Sequence, residues 1–160
     1  MFAHGAFRIG VGVAATALLL WAAPALAGPS LDIDGDGTVD AEHDGQLVLR
    51  WLLGFRGDDL VTGLLAEGAT RNPAAVAGHL DGLGLALDVD GDGRAAALTD
   101  GVLILRHLLG RSGAALTEGA LAAGAQRDDA AIATRIDALS TPPGEAPAMV
   151  ELVQAHAVTA

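Results

Sequence analysis

LDIDGDGTVDAEHDGQLVLRWLLG at residues 31–54 and LDVDGDGRAAALTDGVLILRHLLG at residues 87–110 are one unit written twice, in register at a shift of 56 positions. The match runs on without a gap, Leu31–Leu83 lying on Leu87–Leu139. Leu60 meets Leu116, Gly68-Ala69 meets Gly124-Ala125, Arg71 meets Arg127, and Asp81 meets Asp137. Self-similarity over such a length is a tandem duplication, so the architecture is two consecutive copies of one supersecondary unit.

Each copy reads as an acidic loop followed by three short helices. The first helix spans Gln46–Leu53 in one copy and Val102–Leu109 in the other. It is apolar nearly all round, the mark of a buried helix, and Gly54 or Gly110 follows as a left-handed C-cap. The second begins near Asp58-Asp59 with Leu60, Leu64 and Leu65 on one face, matched by Leu116 and Leu121. The third starts at Asn72-Pro73, a capping residue followed by proline at the first helical position. Val76, Leu80 and Leu83 then form its stripe; Asp128 caps the second copy, and Ile132, Ile136 and Leu139 repeat the stripe. No segment alternates as a half-buried strand does. The expected fold is all-α: two tandem pseudo-symmetric units, each an EF-hand-like calcium loop followed by short helices.

The loops carry the chemistry. Asp32-x-Asp34-x-Asp36-Gly37 and Asp88-x-Asp90-x-Asp92-Gly93 have the opening spacing of an EF-hand loop. Ca²⁺ takes six to eight oxygens at about 2.3–2.6 Å, and carboxylates at alternate positions of a curled loop converge on one point. Glycine then permits the sharp turn that brings the chain back round the ion. The seventh-position ligand is a backbone carbonyl, here of Thr38 or Arg94, which explains how side chains so different share the position. At the twelfth position, where an EF-hand has Glu, stand His43 and Thr99; the residue that recurs is one later, Asp44 and Asp100. These are the expected closing ligands. Asp40 adds a ninth-position ligand to the first loop, and its counterpart Ala96 cannot. Two Ca²⁺ ions per chain are the expected cofactors.

The DxDGDG opening, the closing Asp and the following Leu-x-Leu-Arg-x-Leu-Leu-Gly helix resemble the duplicated calcium-binding segments of type I dockerins, over residues 31–54 and 87–110. The resemblance implies calcium ligation by Asp32, Asp34, Asp36 and Asp44 and by Asp88, Asp90, Asp92 and Asp100. It also implies an interaction module that plugs into a cohesin-like or other exported domain, as an accessory of a polysaccharide-degrading system. Three features depart from the pattern. Each loop is one residue longer, the units are 56 residues apart, and Ala41-Glu42-His43 and Ala97-Leu98-Thr99 lack the Ser/Thr pair with which dockerins read cohesins. The alternative is a structural or buffering calcium-binding protein with no specific cohesin-type partner.

The flanks and composition narrow the remaining classes. Residues 1–27 read as a cleaved secretory signal: a weakly basic start, the apolar run from Ile9 to Ala23, then Pro24 and Ala25-Leu26-Ala27 as the cleavage site. The expected location is therefore secreted, periplasmic or extracellular. Residues 28–140 form the duplicated domain. Residues 141–160 are a Pro-rich linker and tail, in which Ala148–Val158 has the pattern of a short helix. The formal net charge is −11 with no lysine, which disfavours nucleic acid and anionic membrane as partners. No cysteine braces the chain, and metal is the usual substitute in small exported domains. Arg50 and Arg106, alone in apolar helices, are expected to pair with a loop carboxylate or a helix C-terminus. Three serines outside any nucleophile elbow, and acids clustered as ligands rather than set across a cleft, point away from an enzyme.

Overall fold

The computed structural model describes residues 29–141. The expected signal at 1–27 and all but the first residue of the expected linker and tail lie outside the described residues. Those described are helical, and there is no strand among them. In chain order come α1 (Gln46–Leu52), α2 (Asp58–Val61), α3 (Pro73–Leu83), α4 (Val102–Leu108), α5 (Ala114–Thr117) and α6 (Asp129–Ser140). A π turn opens α1 at Ala41–Gly45 and another opens α4 at Ala97–Gly101. A 3₁₀ turn, Gly84–Leu87, leads from α3 into the second loop.

Local chemistry sets these boundaries. α1 and α4 each stop one residue before the expected end, in paired bonds that satisfy the last carbonyls: Gly54 N–H to Trp51 and Phe55 N–H to Arg50, Gly110 to His107 and Arg111 to Arg106. α3 and α6 are capped as expected, the Asn72 side chain accepting from the Ala75 N–H and the Asp128 side chain from the Ala131 N–H, each at 2.9 Å. α2 and α5 are shorter than their leucine patterns imply. Arg50 donates to the carbonyls of Asp59, Leu60 and Thr62, so those groups have a partner without another helical turn. Arg106 does the same for Leu116 and Glu118. Leu64 is consequently buried from a turn, whereas Leu65 and Leu121 face outward; the buried counterpart of Leu64 is Ala120.

A single cluster of buried residues runs through both copies. It joins Leu31, Ile33, Leu47, Leu60 and Leu80 to Leu87, Val89, Leu103, Leu116, Ile132 and Leu139. The apolar positions inside the loops (Leu31, Ile33, Leu87, Val89) are part of this core, so each loop is pinned by its own hydrophobic residues. The Leu31 N–H donates to the Leu139 carbonyl at 2.8 Å, fastening the first loop to the last helix. α1 and α4 meet reciprocally and closely. A Cβ on Gly45 would lie 3.0 Å from Leu105 Cδ1, and one on Gly101 would lie 3.0 Å from Leu49 Cδ1. Among the described residues no helix is long and apolar enough to cross a membrane.

Candidate metal centres

Each loop is curled by hydrogen bonds from its own backbone to its own carboxylates. Gly35 N–H donates to Asp32, Asp36 N–H to Asp34 and Thr38 N–H to Asp36, at 2.8, 3.1 and 2.7 Å. The second loop repeats them 56 residues on: Gly91 to Asp88, Asp92 to Asp90 and Arg94 to Asp92, at 2.7, 3.1 and 2.8 Å. Gly37 and Gly93 have φ of 90° and 93°, a conformation that glycine alone adopts without strain. The curl brings side-chain oxygens together. One oxygen each of Asp32, Asp34 and Asp36 lie within 4.8 Å of one another, as do those of Asp88, Asp90 and Asp100. Both groups can hold a metal ion.

The expected closing residues are buried and fully engaged. Asp44 Oδ1 accepts from the N–H groups of Ile33 at 2.6 Å and Asp34 at 3.4 Å, and Oδ2 from the Asp40 N–H at 3.0 Å. Asp100 is held in the same way by Val89, Asp90 and Ala96, at 2.8, 3.2 and 2.9 Å, with the Thr99 hydroxyl added at 3.0 Å. Each carboxylate thus ties the start of its loop to the end. The π turns explain why the recurrent acid stands one residue late. Gly45 N–H donates to the Asp40 carbonyl and Gly101 N–H to that of Ala96, each spanning five residues instead of the α-helical four. The wider turn absorbs the extra residue and still directs Asp44 and Asp100 inward.

The two sites are not identical. Asp100 stands among the converging oxygens of its loop whereas Asp44 is outside the first group, and Asp36 is inside its group whereas Asp92 is outside the second. Asp40 does not join the first group. It caps the π turn, accepting from the His43 N–H at 2.7 Å and pairing with His43 Nδ1 at 2.9 Å. That pairing raises the His43 pKa. Burial alone would raise the Asp40 pKa, but the hydrogen bonds from His43 bring it below its ordinary value. Asp44 is pushed up to about 6, chiefly by burial and further by the Asp34 charge, against the pull of its backbone donors. Thr38 and Arg94 are exposed at the loop tips.

A feature that the motif does not announce is a strap over each loop, formed by the chain between the second and third helices. Ala66 N–H donates to Asp34 Oδ2 at 2.8 Å, and the Thr70 and Arg71 N–H groups both donate to the Asp34 carbonyl. Ala122, Gln126 and Arg127 do the same for Asp90. Asp34 and Asp90 are both completely buried as a result. The side chains of Arg71 and Arg127 reach under the loops to the carbonyls of Asp32 and Asp88. They run so close to Gly35 and Gly91 that a Cβ there would lie 3.1 and 3.2 Å from the respective Nη1. Backbone donors leave no side-chain signature, but the recurrence of Gly-Ala and Arg after each second helix is a signal of the strap. No family model, curated protein or solved structure matches this chain.

Proposed function

We propose that the protein is an exported, dockerin-like calcium-binding module whose two pseudo-symmetric EF-hand-type units each take one Ca²⁺. The observation that carries this reading is that each copy brings three carboxylate oxygens within 4.8 Å of one another, in loops whose opening acids recur 56 residues apart and whose closing Asp is buried. Oxygens that share one Ca²⁺ ion stand at most about 5 Å apart, twice the metal–oxygen distance, and oxygens within 4.8 Å of one another meet that condition. The donor set is all oxygen, which favours a hard cation over Zn²⁺ or Cu²⁺. Asp32, Asp34 and Asp36 in one loop, and Asp88, Asp90 and Asp100 in the other, would supply carboxylates. Asp44, Asp92 and the carbonyls of Thr38 and Arg94 complete the proposed shells, with Asp40 an additional donor once released from His43. The bound ion would neutralise the crowded acids and fix the helix behind each loop.

The expected role outside the cell is to present a helical face to a protein partner, within a polysaccharide-degrading system or another exported assembly. A groove of 570 Å³ supports it, lined by the apolar Leu49, Leu105 and Leu109 together with the acidic Asp40 and Glu42. The alternative, a structural or buffering calcium protein, is favoured by one observation: His43, in the stretch where dockerins carry their cohesin-reading residues, is tied to Asp40. Equilibrium dialysis of the whole chain against ⁴⁵Ca²⁺ in excess Mg²⁺ tests the calcium reading. Retention of calcium by the native chain and its loss in Asp34→Asn/Asp90→Asn supports it; no retention by the native chain refutes it. Binding of an exported partner that EGTA abolishes separates the interaction module from the buffer.

A further inference from the structure

The two straps differ in the contact that their arginines make with the first loop Asp. In both, an arginine Nη1 donates to the carbonyl of the first loop Asp. Arg71 also stands 3.8 Å from Asp32 Oδ1, an oxygen of the residue that opens the first group. Arg127 forms no such ion pair among the described residues. The two side chains of the Arg71 pair are partly shielded, at 29% and 23% exposed. Arg71 thus adds a carboxylate contact to the carbonyl bond that both arginines make, an asymmetry between otherwise matching units.

We infer that Arg71 is a built-in counter-ion of the first loop, a positioning residue that stands in for part of the cation's charge and lowers that loop's calcium affinity relative to the second. The inference rests on the calcium reading of the loops. Its physics is linkage. A guanidinium beside Asp32 relieves carboxylate repulsion in the metal-free loop but repels an arriving divalent cation, so it stabilises the metal-free state more than the bound state. Removing the charge therefore destabilises the metal-free protein and tightens binding. The sign, read with Arg71→Lys, separates the charge from a brace of the bound loop, whose loss would weaken binding.

The test is calorimetric Ca²⁺ titration and thermal melting of the full chain as wild type, Arg71→Gln, Arg71→Lys and Arg127→Gln. Arg71→Gln is expected to tighten one of the two sites about five-fold, the low end of typical linkage between coupled events. It is also expected to melt lower in EDTA by more than it does in calcium. Arg71→Lys keeps the charge and should keep the wild-type affinity, and Arg127→Gln should tighten neither site. An Arg71→Gln chain unfolded in EDTA but folded in calcium is the same result in its strongest form. Unchanged or weaker binding in Arg71→Gln, or equal loss of stability in both media, overturns the counter-ion role. A wild-type chain that takes up no calcium fails at the step before, and refutes the calcium reading itself.

Discussion

The Asp44 carboxylate accepts the Ile33 backbone N–H at 2.6 Å across eleven residues, closing the first loop on itself beside the core. Ile33 is fully buried, so its N–H has no access to solvent if that acceptor is lost. Asp100 stands in the same relation to Val89. The loops are thus closed by the fold's own hydrogen bonds, in the place where an EF-hand uses a metal ligand.

Replacement of the closing acid should accordingly cost stability as well as binding. Asp44→Ala leaves three backbone donors without their acceptor, two of them on buried residues, at about 1–3 kcal/mol for each buried group. A fall in denaturant midpoint together with loss of one calcium site is the expected outcome, and Asp100→Ala should match it. His43→Ala is expected to leave the first loop closed and both calcium sites able to fill, since the His43 side chain bonds Asp40 and not the closing Asp44. A large loss of calcium affinity in His43→Ala would place the closing ligand one residue earlier.

The acids also set a pH dependence for the metal-free protein. The folded Asp44 holds its proton up to about 6, whereas the unfolded chain releases it near 3.8. Between those values the folded state binds more protons, so stability falls as pH rises. His43 acts with the same sign: its raised pKa gives stability that is present below about 6.5 and lost as pH rises through the folded value. The depressed Asp40 loses its contribution only below 3.8, outside this window. In EDTA the melting temperature should therefore rise as pH is lowered from about 7.5 to 5. Calcium, which needs the carboxylates ionised, should stabilise most at the upper end. Melts that fall with acidification over this range would show that other groups dominate.

The reciprocal contact of α1 and α4 is the joint between the copies. Gly101→Val forces branched methyls into a place where a single Cβ already lies 3.0 Å from Leu49 Cδ1. Overpacking of this kind costs about 1–3 kcal/mol, so chemical denaturation should show a loss of that size, and Gly45→Val a similar one against Leu105. Leu49→Ala in the Gly101→Val background should recover part of it. No recovery would mean that the glycine serves the π turn rather than the helix crossing.

Much of this was legible in the sequence because the duplication supplies its own control. The capped helices at Asn72 and Asp128, with their buried stripes, follow from the order and spacing of residues, as does the convergence of Asp32, Asp34 and Asp36. α2 and α5 were not legible at their true length, since Leu65 and Leu121 continue the pattern while Arg50 and Arg106 take the carbonyls that would extend the helix. The extra loop residue was readable as an anomaly, but its resolution in a π turn is a matter of backbone geometry. The straps were least visible: their grip on Asp34 and Asp90 is made by backbone N–H groups of Ala66 and Ala122, whose side chains say nothing.

Two loops that each close round one calcium ion are the central claim, and calorimetric titration of the full chain with Ca²⁺ at neutral pH tests it most directly. The account predicts saturation at two ions per chain, with dissociation constants on the order of 10⁻⁴–10⁻³ M or somewhat tighter, and a higher melting temperature once both sites fill. Saturation at one ion, or no heat of binding with superimposable melts in EGTA and millimolar calcium, would contradict it.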